Sequence, residues 1–145
     1  MLDKSYIEKN RISRERMRTL IEGLSDEKMQ TKVGEHWTVS IVYAHIAWWD
    51  RRVLYILNES EKNGKLFIPE IDIFVNDLSL PLWAAVPPKE AMRIAMENAE
   101  AVDKRLEEYP EALLEEIQNY NKRWVTRALH RNEHLNEAEE ALKGR

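Results

Sequence analysis

The sequence predicts an all-α protein, a four-helix bundle with a long crossover between the second and third helices, on three observations. Apolar residues recur at helical spacing in four long segments. No segment alternates apolar and polar residues as a half-buried strand would. Glycine is scarce, with four in 145 residues, and the prolines and the Asn63-Gly64 pair fall between the periodic segments. A chain of this length that is 43% hydrophobic can bury a sizeable core, and residues 1–145 read as one domain.

The first helix is expected over 3–23, with Met17, Leu20, Ile21 and the flanking Leu24 as its stripe and Gly23 as its stop. Upstream, the same face carries Asn10, Ser13 and Arg14, which read as a polar lead-in to the interior in preference to ligand contacts. The alternating charges of Arg14-Glu15-Arg16 read as a solvated face. Residues 25–36 form a loop with one helical turn from Ser25, and His36 within it is expected to be solvated.

The central helix is the best marked. Thr38 suits the N-cap, and Trp37 before it can pack on Val42 as a hydrophobic staple. Ile41, Val42, Ile46, Trp48, Trp49, Val53, Ile56 and Leu57 fill one broad arc, and His45 falls inside it. A buried imidazole needs a partner. The helix is expected to run to about Asn58, with Asn63-Gly64 marking the turn beyond. Residues 66–88 are apolar and proline-broken, a connection long enough to cross the core or to serve function. Pro88 suits the first turn of the third helix, whose stripe is Ala91, Met92, Ala95, Ala99, Val102 and Leu106; Tyr109-Pro110 ends it. A short amphipathic piece over 111–118 precedes a fourth helix over 121–142.

Composition removes several function classes. A net charge of −4 gives no general attraction to nucleic acid or acidic lipid. The absence of cysteine excludes disulfides, thiolate metal ligands and a cysteine nucleophile, so any thiol chemistry needs a bound thiol. No apolar run approaches the ~20 residues of a membrane span and the N-terminal residues lack an apolar signal core, so a soluble cytoplasmic protein is expected. The glycines match no phosphate-binding loop or dinucleotide fingerprint, and there is no serine-nucleophile elbow.

The chemistry therefore rests on His45, His130 and His134. Two histidines four apart share one helix face, and a third from a neighbouring helix completes a set that leaves metal positions open for water or substrate. The wheel leaves an alternative open. Trp124, Ala128, Leu135 and Leu142 define the apolar centre of the fourth helix, and His130 and His134 lie roughly 100° or more from it, as a surface pair would. His130-Arg-Asn-Glu133-His134 also matches H-x-x-E-H, in which the glutamate is the base of a zinc protease. Only eleven residues follow His134, which leaves little room for that architecture, and ordinary solvation is the simpler reading of Glu133.

Two segments carry a family resemblance. Trp37-Thr-Val-Ser-Ile-Val-Tyr-Ala-His45-Ile resembles the tryptophan, small hydroxyl and histidine-apolar pattern that opens the second helix of the DinB/YfiT-like family. His130-Arg-Asn-Glu-His134-Leu resembles that family's C-terminal H-x-x-x-H. Order and spacing agree along nearly the whole chain, including Gly23-Leu-Ser and the crossover segment from Asp72 to Asn76. The resemblance implies an up-down-down-up bundle and a divalent metal, zinc or nickel, held by His45, His130 and His134. It also implies chemistry of the kind found in thiol-dependent transferases of the family, with a low-molecular-weight thiol as cosubstrate, or in the family's hydrolases. A metal with open positions can lower the pKa of a bound thiol or water. The alternative is a non-catalytic metal-binding or small-molecule-binding stress protein. A small-molecule substrate is the expected partner, with no nucleic acid and no membrane; a homodimer is compatible with this reading.

The crossover is expected to lie over the metal end, since its apolar residues Phe67, Ile71, Phe74, Leu82 and Trp83 must cover something. Trp83 would then form one wall of a substrate pocket, with Trp48 and Trp49 opposite. The same residues could equally plug the end of the bundle.

Overall fold

A computed structural model describes residues 2–70 and 74–144; Ile71 and Asp72 of the crossover lie outside the described residues. Among the described residues the chain is all-α apart from one tiny antiparallel hairpin. In order it forms α1 (Tyr6–Ile21), α2 (Asp26–Met29), β1 (Lys32–Val33), β2 (Trp37–Thr38), α3 (Val39–Asn63), α4 (Phe74–Ala84), α5 (Pro88–Glu107), α6 (Glu111–Tyr120), a 3-10 turn (Lys122–Trp124) and α7 (Ala128–Lys143).

Helix boundaries follow local chemistry. Thr38 Oγ1 accepts a hydrogen bond from Ile41 N at 3.1 Å, the N-cap expected from the sequence. The other end of α3 lies five residues beyond the expected Asn58. Its last turns are held from outside: Arg105 on α5 donates to Asn58 Oδ1 and pairs with Glu61, and Ser60 Oγ accepts from Phe67 N. Gly64 then ends the helix at φ 73°, a left-handed conformation that glycine adopts without strain.

Two segments depart from expectation. Residues 74–84 form α4 despite Pro81, which removes one helical hydrogen bond. Tertiary contacts offset that loss: Trp83 is buried, and Asn76 Oδ1 accepts from Trp49 Nε1 at 3.0 Å. The opposite face of α4 is not buried. Phe74, Leu78 and Leu82 are 65%, 76% and 72% exposed, so Phe74 and Leu82 do not cover the bundle end as their apolar character implied. The fourth helix also starts later than expected, at Ala128, after the 3-10 turn. No side chain of its own caps it; Asn10 on α1 does so, accepting from Ala128 N at 2.9 Å while donating to Val125 O at 2.9 Å.

The pairings give the helices their relative directions. Along α1 and α7, Asn10 meets Ala128, Ser13 meets Arg131, and Arg16 meets Asn132 and Asn136, so the two numbers rise together. Along α1 and α5, Tyr6 meets Leu106, Arg14 meets Asp103 and Arg18 meets Glu100, so they run in opposition. The row Ala91, Ala95 and Ala99 on α5 is fully buried in one apolar cluster with Val42, Ile46 and Leu135. A second cluster holds Val53, Ile56, Leu57, Val102, Leu106, Leu114 and Ile117.

Between the two clusters, each long helix contributes buried polar groups. These are Asn10 and Ser13 of α1, Asp50 of α3, Asp103 of α5 and Arg131 of α7, with Arg127 just before α7. Arg131 is fully buried and donates to Asp50 Oδ2 at 3.0 Å, to both oxygens of Asp103 at 2.9 and 3.0 Å, and to Ser13 Oγ at 3.0 Å. Arg127 donates to the other Asp50 oxygen at 2.8 Å. Asn10, Ser13 and Arg14 thus form the polar lead-in to the interior that the sequence favoured; Arg14 joins the layer through Asp103 at 2.6 Å and so departs from the solvated face expected of Arg14-Glu15-Arg16.

Removing one member of a buried ion pair strands the other, which typically costs about 3–5 kcal/mol. Arg131→Ala is expected to destabilise the fold by about that amount, read as a lowered urea midpoint at unchanged slope. A loss within about 0.5 kcal/mol, as at an ordinary surface site, would show that the layer does not hold the helices together.

Candidate metal centre

His45, on α3, is 2% exposed, and His130 and His134 project from successive turns of α7. The three meet through their Nε2 atoms. His45 Nε2 lies 3.1 Å from that of His130 and 3.0 Å from that of His134, and a donor atom of each ring lies within 4.8 Å of the others. The 100° offset of the pair on α7 remains: Ala128, Arg131, Leu135 and Ala138 are the buried residues of this helix, and each histidine precedes one of them. That offset turns the pair toward α3.

Electrostatics keep the His45 and His130 rings neutral. Burial, then the neighbouring His134 and Arg127, push the pKa of His45 down to about 3. His130 is pushed further down, by burial and then by the Arg127 charge. Neutral imidazoles present lone pairs, and three converging nitrogens cannot satisfy one another with one proton each on the correct side. For His45 to face the other two with a lone pair its proton must sit on Nδ1, which is buried with no hydrogen-bond partner among the described residues. A divalent cation shared by the Nε2 atoms relieves the repulsion. Two nitrogens bound at about 2.0–2.1 Å, with angles between square and tetrahedral, stand roughly 2.9–3.4 Å apart, so the observed separations fit.

The outer nitrogens differ. His134 Nδ1 lies 2.8 Å from Glu137 Oε1, and a carboxylate can only accept, so the proton sits on Nδ1 and the Nε2 lone pair faces the other histidines. His130 Nδ1 lies 3.5 Å from Arg127 Nη2. A guanidinium can only donate, and a strong bond there would move the proton of His130 to Nε2. This contact is long, and Arg127 is committed more closely to Asp50 and to the Arg123 carbonyl at 2.9 Å.

Aromatic rings enclose the centre. Trp37 lies near-parallel to His134, at 5.7 Å and 22°, and 4.7 Å from His45; Trp83 meets His45 edge-on at 5.1 Å. The sequence marked Trp37 as a helix staple and as part of the family pattern, not as a wall of the histidine site. The hairpin pairs Val33 with Trp37, and strands of two residues are too short to show alternation.

A cavity of about 450 Å³ opens on the three histidines, bounded by Trp49, Asn76, Trp124 and a set of arginines. Trp49 therefore faces the cavity, but Trp48 and Trp83 line a separate one of about 310 Å³ beside Arg51 and Ile94. Adjacent helical residues point about 100° apart, which is why Trp48 and Trp49 part company. The crossover reaches the histidine cavity through Asn76 rather than through Trp83. His36 is exposed, as expected. Glu133, the base position of H-x-x-E-H, is outside the cavity and pairs with Arg123 through both oxygens at 2.9 and 3.0 Å, which lowers its pKa.

The sequence model described as the DinB superfamily matches residues 10–142. No curated protein and no solved structure gives a match.

Because Glu137 orients His134, Glu137→Gln is expected to weaken divalent-ion binding by about 10- to 100-fold, measured by competition against a chelator of known affinity. Unchanged affinity would mean that the Glu137 contact is incidental.

Proposed function

The chain belongs to the DinB superfamily, and on that premise we propose that it is a metal-dependent enzyme of the thiol-transferase type, with His45, His130 and His134 as ligands of one zinc or nickel ion. The convergence of three Nε2 atoms on the floor of an open cavity carries the reading. Structural zinc sites close all four positions with protein ligands, whereas three histidines beside a cavity leave room for a substrate. A divalent ion bound there would lower the pKa of a thiol or of water.

The residues of the chain supply the rest. Glu137 holds the His134 tautomer, Trp37 and Trp83 keep bulk water from the buried side of His45, and the cavity admits a small molecule from the side of Trp49 and Asn76. A chain without cysteine must obtain its thiol from a cosubstrate. In this reading α1, α3, α5 and α7 form the up-down-down-up bundle of a single domain, supported by the parallel pairing of α1 with α7 and the antiparallel pairing of α1 with α5. A cytoplasmic location is part of the proposal; no helix among the described residues is long and apolar enough to cross a membrane.

Purified protein is expected to carry about one divalent ion per chain by elemental analysis, and His45→Ala to lose it. Metal content that survives loss of both His45 and His134 would sink the site. Turnover of an electrophile with added thiol should require the ion; metal binding without any such turnover would favour a non-catalytic binding protein.

Metal removal is a separate check on the fold. A ligand at a hundredfold excess over its Kd stabilises the native state by about 2.7 kcal/mol. The apo protein should therefore melt measurably below the loaded one. Equal melting temperatures would count against ligation by the buried His45.

A further inference from the structure

The cavity above the histidines is lined by three guanidinium groups, Arg52, Arg123 and Arg127, and among the described residues by no carboxylate. Two of the three are committed. Arg127 pairs with Asp50 in the buried layer, and Arg123 pairs with Glu133 outside the cavity. Arg52 differs: its Nε is buried and has no hydrogen-bond partner among the described residues. Its guanidinium carbon instead lies over two indoles, 5.1 Å from the centre of Trp49 and 5.5 Å from that of Trp124.

That arrangement fixes the orientation of the group. The two indoles hold the guanidinium carbon within 5.5 Å of their centres, and a guanidinium edge carries N–H donors spaced to meet two oxygens of one carboxylate or phosphate. The local charge is also one-sided. Burial and the nearby Arg127 lower the pKa of Arg52, and among the described residues no carboxylate lines the cavity beside it. The cavity volume of about 450 Å³ falls within the range of small-molecule sites.

We propose that this cavity takes small molecules bearing an oxyanion, a carboxylate or a phosphate, and that the Arg52 guanidinium grips that group while the rest of the molecule extends toward the histidines. The proposal rests on the cavity being the substrate site of the metal centre. It adds the substrate class and the residue that selects it.

The test compares benzoate, phenyl phosphate and neutral benzamide by calorimetric titration of the zinc-loaded protein. At least one anion should bind about tenfold or more tightly than benzamide. Arg52→Gln should abolish that preference, and Arg52→Lys, which keeps the charge but not the planar fork, should retain part of it. Whether phenyl phosphate or benzoate binds more tightly assigns the oxyanion. Equal binding of all three compounds overturns the proposal, as does a preference that survives Arg52→Gln, because the anion would then be held by the metal or by Arg123.

Zinc content, measured in the same samples, separates this proposal from the metal reading. A protein that takes up no zinc yet shows the Arg52-dependent preference refutes the ligand set and supports the anion site. Should Arg52→Gln fail to fold, phenylglyoxal labelling of the wild-type protein gives the answer. Benzoate, unlike benzamide, should shield Arg52 from modification in peptide mass spectra, and equal labelling with both compounds overturns the proposal.

Discussion

The buried ionic layer around Arg131 is the constraint on which the rest of this structure depends. Four long helices with apolar stripes can slide and rotate against one another at little cost, because hydrophobic contacts are not directional. Charged groups in the interior remove that freedom. Arg131 must reach Asp50 on α3 and Asp103 on α5 together, and Arg127 must reach the remaining oxygen of Asp50. The two buried arginines and two buried aspartates balance in charge, so the layer is tolerated only when all four are in register.

That register serves the histidines directly. His45 lies five residues before Asp50 on α3, and His130 sits between Arg127 and Arg131. The same two helices are therefore joined twice, once by ion pairs and once by the three imidazoles, at neighbouring levels. Fixing the first junction holds Nε2 atoms from different helices about 3 Å apart. Arg127 belongs to both junctions, since its charge also depresses the proton affinity of His45 and His130.

Much of this was legible in the sequence, and the remainder was hidden for identifiable reasons. The start of α3, the apolar row of α5 and the burial of His45 follow from capping and periodicity, which are local. The late start of α7 was not, because its cap, Asn10, lies 118 residues away in sequence. Helix α4 was masked by Pro81, whose local penalty is outweighed by the burial of Trp83. The ionic layer had a signal that went unread: Asp50, Asp103 and Arg131 each interrupt an apolar stripe, and opposite charges in facing stripes are partners in waiting. The cavity walls needed three dimensions, since Trp49, Asn76 and Trp124 come from separate elements.

The capping of α7 by α1 bears on the order in which the molecule can assemble. A helix of sixteen residues that lacks a cap of its own nucleates poorly in isolation. Here the missing acceptor comes from the opposite end of the chain, and the contacts that complete the centre, His45 with His130 and His134, span 85 and 89 residues. Such distant pairings are slow to form, because the entropy of closing the loop is spent before any contact repays it. During synthesis the segment carrying His45 emerges long before its partners. The histidine centre is thus a late product of folding, formed only after the first and last long helices have met.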